Sequence, residues 1–220
     1  MFTNFHFTVK DGIIKDKFNN DFITSANAPS IVNGMDGEKS AFSTTGGAWI
    51  SPKIAAYTFS ENEDFTIYSW VKCEAASLLP ILLGTGNPGQ GLMVGATYYA
   101  DGIYFDYSGY GNNPSISFAA SMRNNEFNNV VLTKKQDTLN LFLAGVKVKT
   151  VQIPNLTISF PAIIIGWDNC YANRVSTYAI QEIGMYNSCL FDKDFVPTYG
   201  KPLAQPYRLY GKNSKLYGYK

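Results

Sequence analysis

Apolar residues recur at every second position through most of this chain, and that period admits strands far more readily than helices. Phe5, Phe7 and Val9 alternate with polar neighbours. Phe65, Ile67, Ser69 and Val71 alternate with Thr66, Tyr68, Trp70 and Lys72, so both faces of that strand carry sizeable side chains. Ile103, Phe105 and Tyr107 oppose Tyr104 and Asp106. Leu139, Leu141 and Leu143 oppose Asn140 and Phe142; Ala144-Gly145 then breaks the run before Val146, Val148 and Thr150 alternate with lysines. A two-residue break containing Gly between two alternating runs predicts a hairpin. Ile163–Ile165 reads as a short buried strand, and Ala179–Tyr186 as another whose alternation is imperfect. With 19 glycines and 10 prolines between these runs, no segment keeps a helical period beyond about two turns. Many short strands separated by turn residues predict an all-β sandwich or barrel.

The 220 residues suit one such domain plus a tail. Charged residues are only 16% of the chain against 45% hydrophobic, which excludes a highly charged disordered segment. A net charge of +1 argues against whole-protein attraction to nucleic acid or membrane. One His and three Cys, at 73, 170 and 189, leave no ligand set for zinc, and no metal or cofactor is expected. The plain reading of the cysteines is reduced, buried side chains. Residues 1–10 lack the apolar core of a signal peptide, and no apolar stretch approaches a bilayer span, so a soluble cytosolic product is expected.

The composition changes at the end. From residue 197 onward come three prolines, five tyrosines, five basic residues and no acid. The preceding 196 residues carry 13 basic and 17 acidic side chains, a net of −4. The expected organisation is therefore a folded body over 1–196 and a basic, Tyr-rich tail over 197–220. Tyr207, Arg208, Tyr210, Lys212, Lys215 and Tyr217 are candidate docking residues, because aromatic and Arg side chains are those that interfaces favour. The tail could equally pack back on its own acidic body.

The ordered pieces resemble a known family. FTVKDGIIKDKF, with a turn at Asp16–Asn20, is similar to the opening strand of laminin-G-like, concanavalin-A-type jelly rolls. GEKSAFSTTGGAWI, FTIYSWVK, the pair within 128–148, and Ile165-Gly166 followed by YAIQEIGMYNSCL match later segments of that family in order. The chain departs from the pattern at Phe127-Asn128-Asn129, where Trp-His-His is usual, and at Ala144 and Gln181, where Asp is usual. No calcium-type role is expected at Gln181. The resemblance implies two antiparallel sheets with interdigitating inner faces. It also implies Trp70 in that inner core, with a partner for its indole N–H.

Catalysis on this fold would need two carboxylates flanking a glycosidic bond, about 5–10 Å apart. The tight acid cluster Glu61, Glu63 and Asp64 reads as a solvated turn, Asp101 and Asp106 as opposite-facing, and Glu182 as solitary. His6, in the opening strand, reads as a surface or cross-strand residue rather than a catalytic base. No enzyme is expected.

Two stretches have the composition of sugar-binding loops: Tyr98, Tyr99, Asp101, Tyr110 and Asn112 in one, Trp167, Asp168, Asn169 and Tyr171 in the other. Aromatic faces stack on the C–H face of a pyranose while amides and carboxylates bridge its hydroxyls. Asn, Asp and Gly also serve ordinary turns. Together these readings lead to a non-enzymatic structural or adhesion protein of a bacteriophage virion: a head fibre, decoration or tail-fibre component assembled in the host cytoplasm. Its partners would be other virion subunits through the tail and host-surface glycan through the loops, with homo-oligomers allowed. The alternative is a carbohydrate-binding module of a bacterial surface protein.

Overall fold

A computed structural model describes residues 1–75, 81–86, 90–96, 101–107, 115–118, 126–166 and 177–197. The described residues form eighteen strands and one short 3-10 turn at Thr45–Gly47. In chain order the strands are β1 (Phe5–Lys10), β2 (Ile13–Asp16), β3 (Phe22–Thr24), β4 (Ser30–Val32), β5 (Ala41–Ser43) and β6 (Ile50–Pro52). There follow β7 (Tyr57–Phe59), β8 (Phe65–Ala75), β9 (Ile81–Gly84), β10 (Gly91–Ala96), β11 (Asp101–Asp106) and β12 (Ser115–Phe118). The last six are β13 (Asn128–Lys135), β14 (Thr138–Leu143), β15 (Val146–Gln152), β16 (Ile158–Phe160), β17 (Ile164–Ile165) and β18 (Thr177–Tyr186).

These strands make an antiparallel two-sheet sandwich of the jelly-roll type. The larger sheet runs β15-β14-β13-β8-β18-β1-β2, with β5 also on β18 and β4 beyond it. The smaller runs β12-β11-β10-β9-β17-β6-β3, and the β7–β16 pair stands apart. The period-2 alternation decides what lies between them. Phe7, Ile67, Val71, Leu132 and Leu141 from the larger sheet meet Leu83, Leu92, Val94, Phe105 and Ile165 from the smaller in one buried core. Phe2, Phe59, Phe65 and Phe160 close one side, their rings at edge or tilted contacts of 5.1–5.8 Å.

The hairpin predicted at Ala144-Gly145 is present, and both residues take positive φ, 50° and 80°, as a tight primed turn requires. A second such turn, Asp11-Gly12 (φ 55° and 70°), splits the expected opening strand into β1 and β2. The imperfect alternation of the last strand has a cause. Ile180 pairs with Val71 and Glu182 with Trp70, leaving Gln181 as a bulge residue. Tyr178 and Ile180 point inward before the bulge, and Ile183 and Met185 after it, so the phase slips by one.

Trp70 is not in the core between the sheets. It lies half-buried on the outer face of the larger sheet, beside Tyr68, Val131 and Phe142, because Ile67, Ser69 and Val71 take the inner face of β8. Its indole N–H finds its partner there, donating to the Tyr68 hydroxyl at 2.9 Å. Residues 187–197 cross this outer face as a strap. Phe191 and Phe195 stack 3.8 Å apart, and Phe195 packs on Phe142. The strap is tied by Phe195 N donating to Gly145 O at 2.9 Å, Lys147 N to Asp194 Oδ1 at 2.8 Å, and a Lys135–Asp192 ion pair at 3.0 Å.

The turn holding Glu61, Glu63 and Asp64 is also more built than a solvated turn. Buried Lys134 sends its ammonium under it, donating to the carbonyls of Ser60, Glu61 and Glu63 at 2.8, 3.0 and 2.6 Å. Glu63 accepts from Ser60 N at 3.0 Å, and Asp64 from Gln136 N at 2.8 Å.

The two faces of β8 are expected to differ in equilibrium denaturation. Phe65→Ala empties a fully buried core site and should cost about 3–5 kcal/mol. Trp70→Ala removes a half-buried ring from the outer face and should cost about 1–2 kcal/mol. Truncation after residue 197 should leave a cooperatively melting body. Extending the truncation to remove residues 191–197 should cost about 2–4 kcal/mol more, the burial of two partly covered Phe rings.

Candidate functional site

Of the loop residues singled out above, Tyr98, Tyr99, Tyr110, Asn112, Trp167, Asp168, Asn169 and Tyr171 lie outside the described residues, as do Tyr207, Arg208, Tyr210, Lys212, Lys215 and Tyr217. The strand ends from which the loops depart are described. Asp101 opens β11 opposite Ala96, so the 97–100 connection leaves from that end of the smaller sheet. Ile164 pairs with Gly84 and Ile165 with Leu83, so β17 runs toward the same end before residue 167. The 108–114 connection leaves from the Asp106 end, about 17 Å away by strand rise.

The described residues assemble their polar and aromatic groups elsewhere, on the outer face of the larger sheet. Phe5 and Phe7 face the core, so His6 faces outward, directly opposite Gly184 of β18. A side chain at Gly184 would run into the His6 ring and the Phe5 carbonyl, so the glycine makes room for the imidazole. His6 is fully buried rather than at the surface. Its Nδ1 meets the Tyr186 hydroxyl, and its Nε2 lies 3.3 Å from Glu182 Oε2 and 3.3 Å from Lys17 Nζ. Lys17 Nζ is 3.7 Å from Glu182 Oε1, so Glu182 is not solitary: it is held between a histidine and a lysine. Asp16 accepts from His6 N and, at 2.9 and 2.6 Å, from the backbone and side-chain amides of Asn20.

Burial pulls the His6 imidazole below its usual value, and the Lys17 charge adds to this against the upward pull of Glu182. The fold is therefore built around a neutral ring. Burial, with Glu182 nearby, pushes the hydroxyls of Tyr68 and Tyr186 well up, so both stay protonated. The two acids of this cluster are thus engaged by backbone, histidine and lysine. Among the described residues no group of three or more His, Cys, Asp or Glu is placed to hold a metal ion. Cys73 is buried and Cys189 half-buried; Cys170 lies outside the described residues.

One cross-strand row stands next to the cluster. Asn129 of β13, Trp70 of β8 and Glu182 of β18 are direct neighbours in register, and Thr8 of β1 continues the row opposite Glu182. Asn129 is 1% exposed and Glu182 3%, whereas Trp70 is partly open to solvent. Asn129 donates through Nδ2 to Ser69 O at 3.1 Å, but its Oδ1 has no hydrogen-bond partner. Glu182 Oε2 likewise has no aligned hydrogen bond, its contact with His6 being an ion-pair distance only. Sequence alternation places Trp70 and Asn129 on the same kind of face, but the register that brings Glu182 to them depends on the Gln181 bulge and carries no local signal.

No curated protein matches the sequence. Among solved structures, the binding domain of Paraclostridial mosquitocidal protein 1 superposes with a TM-score of 0.65 at 18% identity, over 85% of this chain and 49% of that one. The binding domain of botulinum neurotoxin serotype D gives 0.63 at 13% identity, over 86% and 49%. The serotype D ligand-binding domain in complex with N-acetylneuraminic acid gives 0.63 at 13%, over 85% and 48%. The chain spans about half the length of these structures, and at such identities the likeness is one of fold. A family model described as the concanavalin A-like lectin/glucanases superfamily matches residues 43–194, from β5 through the strap. With well over half of its residues inside that match, this chain belongs to the concanavalin A-like lectin/glucanases superfamily.

Proposed function

We propose that this chain is a non-catalytic, lectin-like adhesion domain that binds host-surface glycan as part of a bacteriophage particle. The observation that carries the binding reading is the outer face of the larger sheet. Its acids, Asp16 and Glu182, are held by structural partners, while aromatic and amide groups share a row beside them. Such a face offers stacking and hydrogen bonding without a free carboxylate pair for hydrolysis. Membership of a lectin-containing superfamily supports the same reading, as does likeness to a toxin domain solved with N-acetylneuraminic acid. The sequence candidates Tyr98, Tyr99, Asp101, Tyr110, Asn112, Trp167, Asp168, Asn169 and Tyr171 would add stacking faces and hydrogen-bonding groups.

The virion role rests on charge asymmetry between a body of net −4 and a tail carrying five basic residues and no acid. Charge would orient the encounter with another particle subunit, and Tyr207, Tyr210 and Tyr217 would supply the contact area, with Arg208, Lys212 and Lys215 around them. Assembly would then take place in the host cytoplasm.

The purified protein should retain glycans on an array without cleaving them. Hydrolysis that disappears in Glu182→Gln would overturn the non-catalytic reading. Mass spectrometry of purified particles should find the chain, and replacing Tyr207, Tyr210 and Tyr217 together by Ser should release it from particles while its melting is unchanged. Full incorporation of that triple variant would place attachment on the body instead.

A further inference from the structure

His6 is the single histidine of the chain, and its two ring nitrogens are held by different chemistry. Nδ1 meets the Tyr186 hydroxyl. Nε2 lies 3.3 Å from the Lys17 ammonium and 3.3 Å from Glu182 Oε2. An ammonium can only donate, so the Lys17 contact calls for a bare lone pair on Nε2 and puts the ring proton on Nδ1. In that state Glu182 Oε2 is a buried acceptor without a hydrogen-bond partner, while Oε1 faces Lys17 at 3.7 Å. The neutral ring thus stands beside an unused carboxylate oxygen, and native folds leave few such atoms.

The titratable and charged groups around the ring come from three elements. Asp16 of β2, whose carboxylate accepts from His6 N, is followed by Lys17. Glu182 and Tyr186 stand on β18, and Tyr68 on β8 has its ring centroid 6.1 Å from the imidazole. Both tyrosines stay protonated, and Asp16 is occupied by His6 N and Asn20. Lys17 and Glu182 are therefore the groups that answer a proton on Nε2. Of the three partners only Lys17 has a way out: its side chain is 30% exposed, against 0% for His6 and 3% for Glu182.

A proton from solvent turns the Nε2 lone pair into an N–H. The ring then opposes the Lys17 ammonium as a like charge, and the new donor lies within reach of Glu182 Oε2. Lys17 can turn its ammonium into water while its backbone stays tied, Lys17 N donating to His6 O at 2.9 Å. Glu182 keeps one positive partner throughout, so its buried charge is never left unpaired. We infer that His6, Lys17 and Glu182 form a proton-for-lysine exchange, in which acidification hands Glu182 from Lys17 to the His6 imidazolium and releases the Lys17 ammonium to the surface. The release takes place at β2, the outermost strand of the larger sheet. It is independent of the glycan-binding reading.

Burial holds the folded ring below the ordinary imidazole range, so an unfolded chain takes this proton first. Stability should therefore fall as pH drops below about 6.5 and level off once the folded ring is charged.

The test is an NMR pH titration of the full chain, whose one imidazole gives an unambiguous signal. The ring should carry its proton on Nδ1 at neutral pH and titrate below the midpoint of free histidine. Lys17 side-chain signals should move with the same midpoint, and the His6–Lys17 proton contact should be present above it and absent below it. Lys17→Met should raise the midpoint by removing the opposing charge, with Lys17→Gln in its place should the Met variant fail to fold. Glu182→Gln, in protein whose spectrum shows it folded, should lower the midpoint by removing the carboxylate that takes the new donor. Were these residues merely structural, both substitutions would let water in and move the midpoint upward. A downward shift in Glu182→Gln thus supports the exchange, and an upward one overturns it. A His6–Lys17 contact that persists through the titration would also overturn it, as would a midpoint unmoved by loss of the Lys17 charge. So would cooperative unfolding of the body before the ring titrates.

Discussion

The pairing of β8 with β18 is the seam on which the rest of the sandwich is set, and the bulge at Gln181 fixes its phase. A strand has a period of two, so one inserted residue exchanges its faces from that point on. Without the bulge, Ile183 and Met185 would face outward, and Glu182, Gly184 and Tyr186 would be driven into the core. With it, β18 keeps an apolar inner face along its whole length and delivers the His6 and Trp70 neighbours to the outer one. Gln181 itself is turned aside and buried. Its amide accepts from Met35 N at 2.9 Å and donates to Ser40 Oγ at 3.2 Å, so the residue that shifts the register also anchors the 34–40 loop.

The strands were legible because their cause is local. Alternation in 5–9, 65–72, 103–107 and 139–150 reports which side chains must leave water, and Ala144-Gly145 reports a turn that needs positive φ. The same reasoning would have found the Asp11-Gly12 turn, since Asp-Gly between two alternating runs carries the same signal. Trp70 was misplaced for a physical reason. A strand with two substantial faces does not say which face meets the second sheet. Here the smaller residues Ile67, Ser69 and Val71 fill the core, while Tyr68 and Trp70 lie under the strap.

The His6–Glu182–Lys17 cluster was not legible. His6 and Glu182 are 176 positions apart, and Lys17 reaches them only because β2 folds back on β1. Each residue read singly is a lone histidine, a lone acid and a surface lysine. What makes them a site is strand order, which composition does not encode.

Lys134 shows one further property of this sandwich. Three carbonyl oxygens converging on a single positive charge is the arrangement by which loops commonly hold a hard cation. Here the cation is covalently attached to β13, four carbons from the backbone. A diffusible ion occupies such a corner only as far as its concentration in the medium allows. A tethered one is present at an effective concentration fixed by the length of its own side chain. The corner before β8 is thus filled once β13 pairs with β8, by a charge that the chain itself carries.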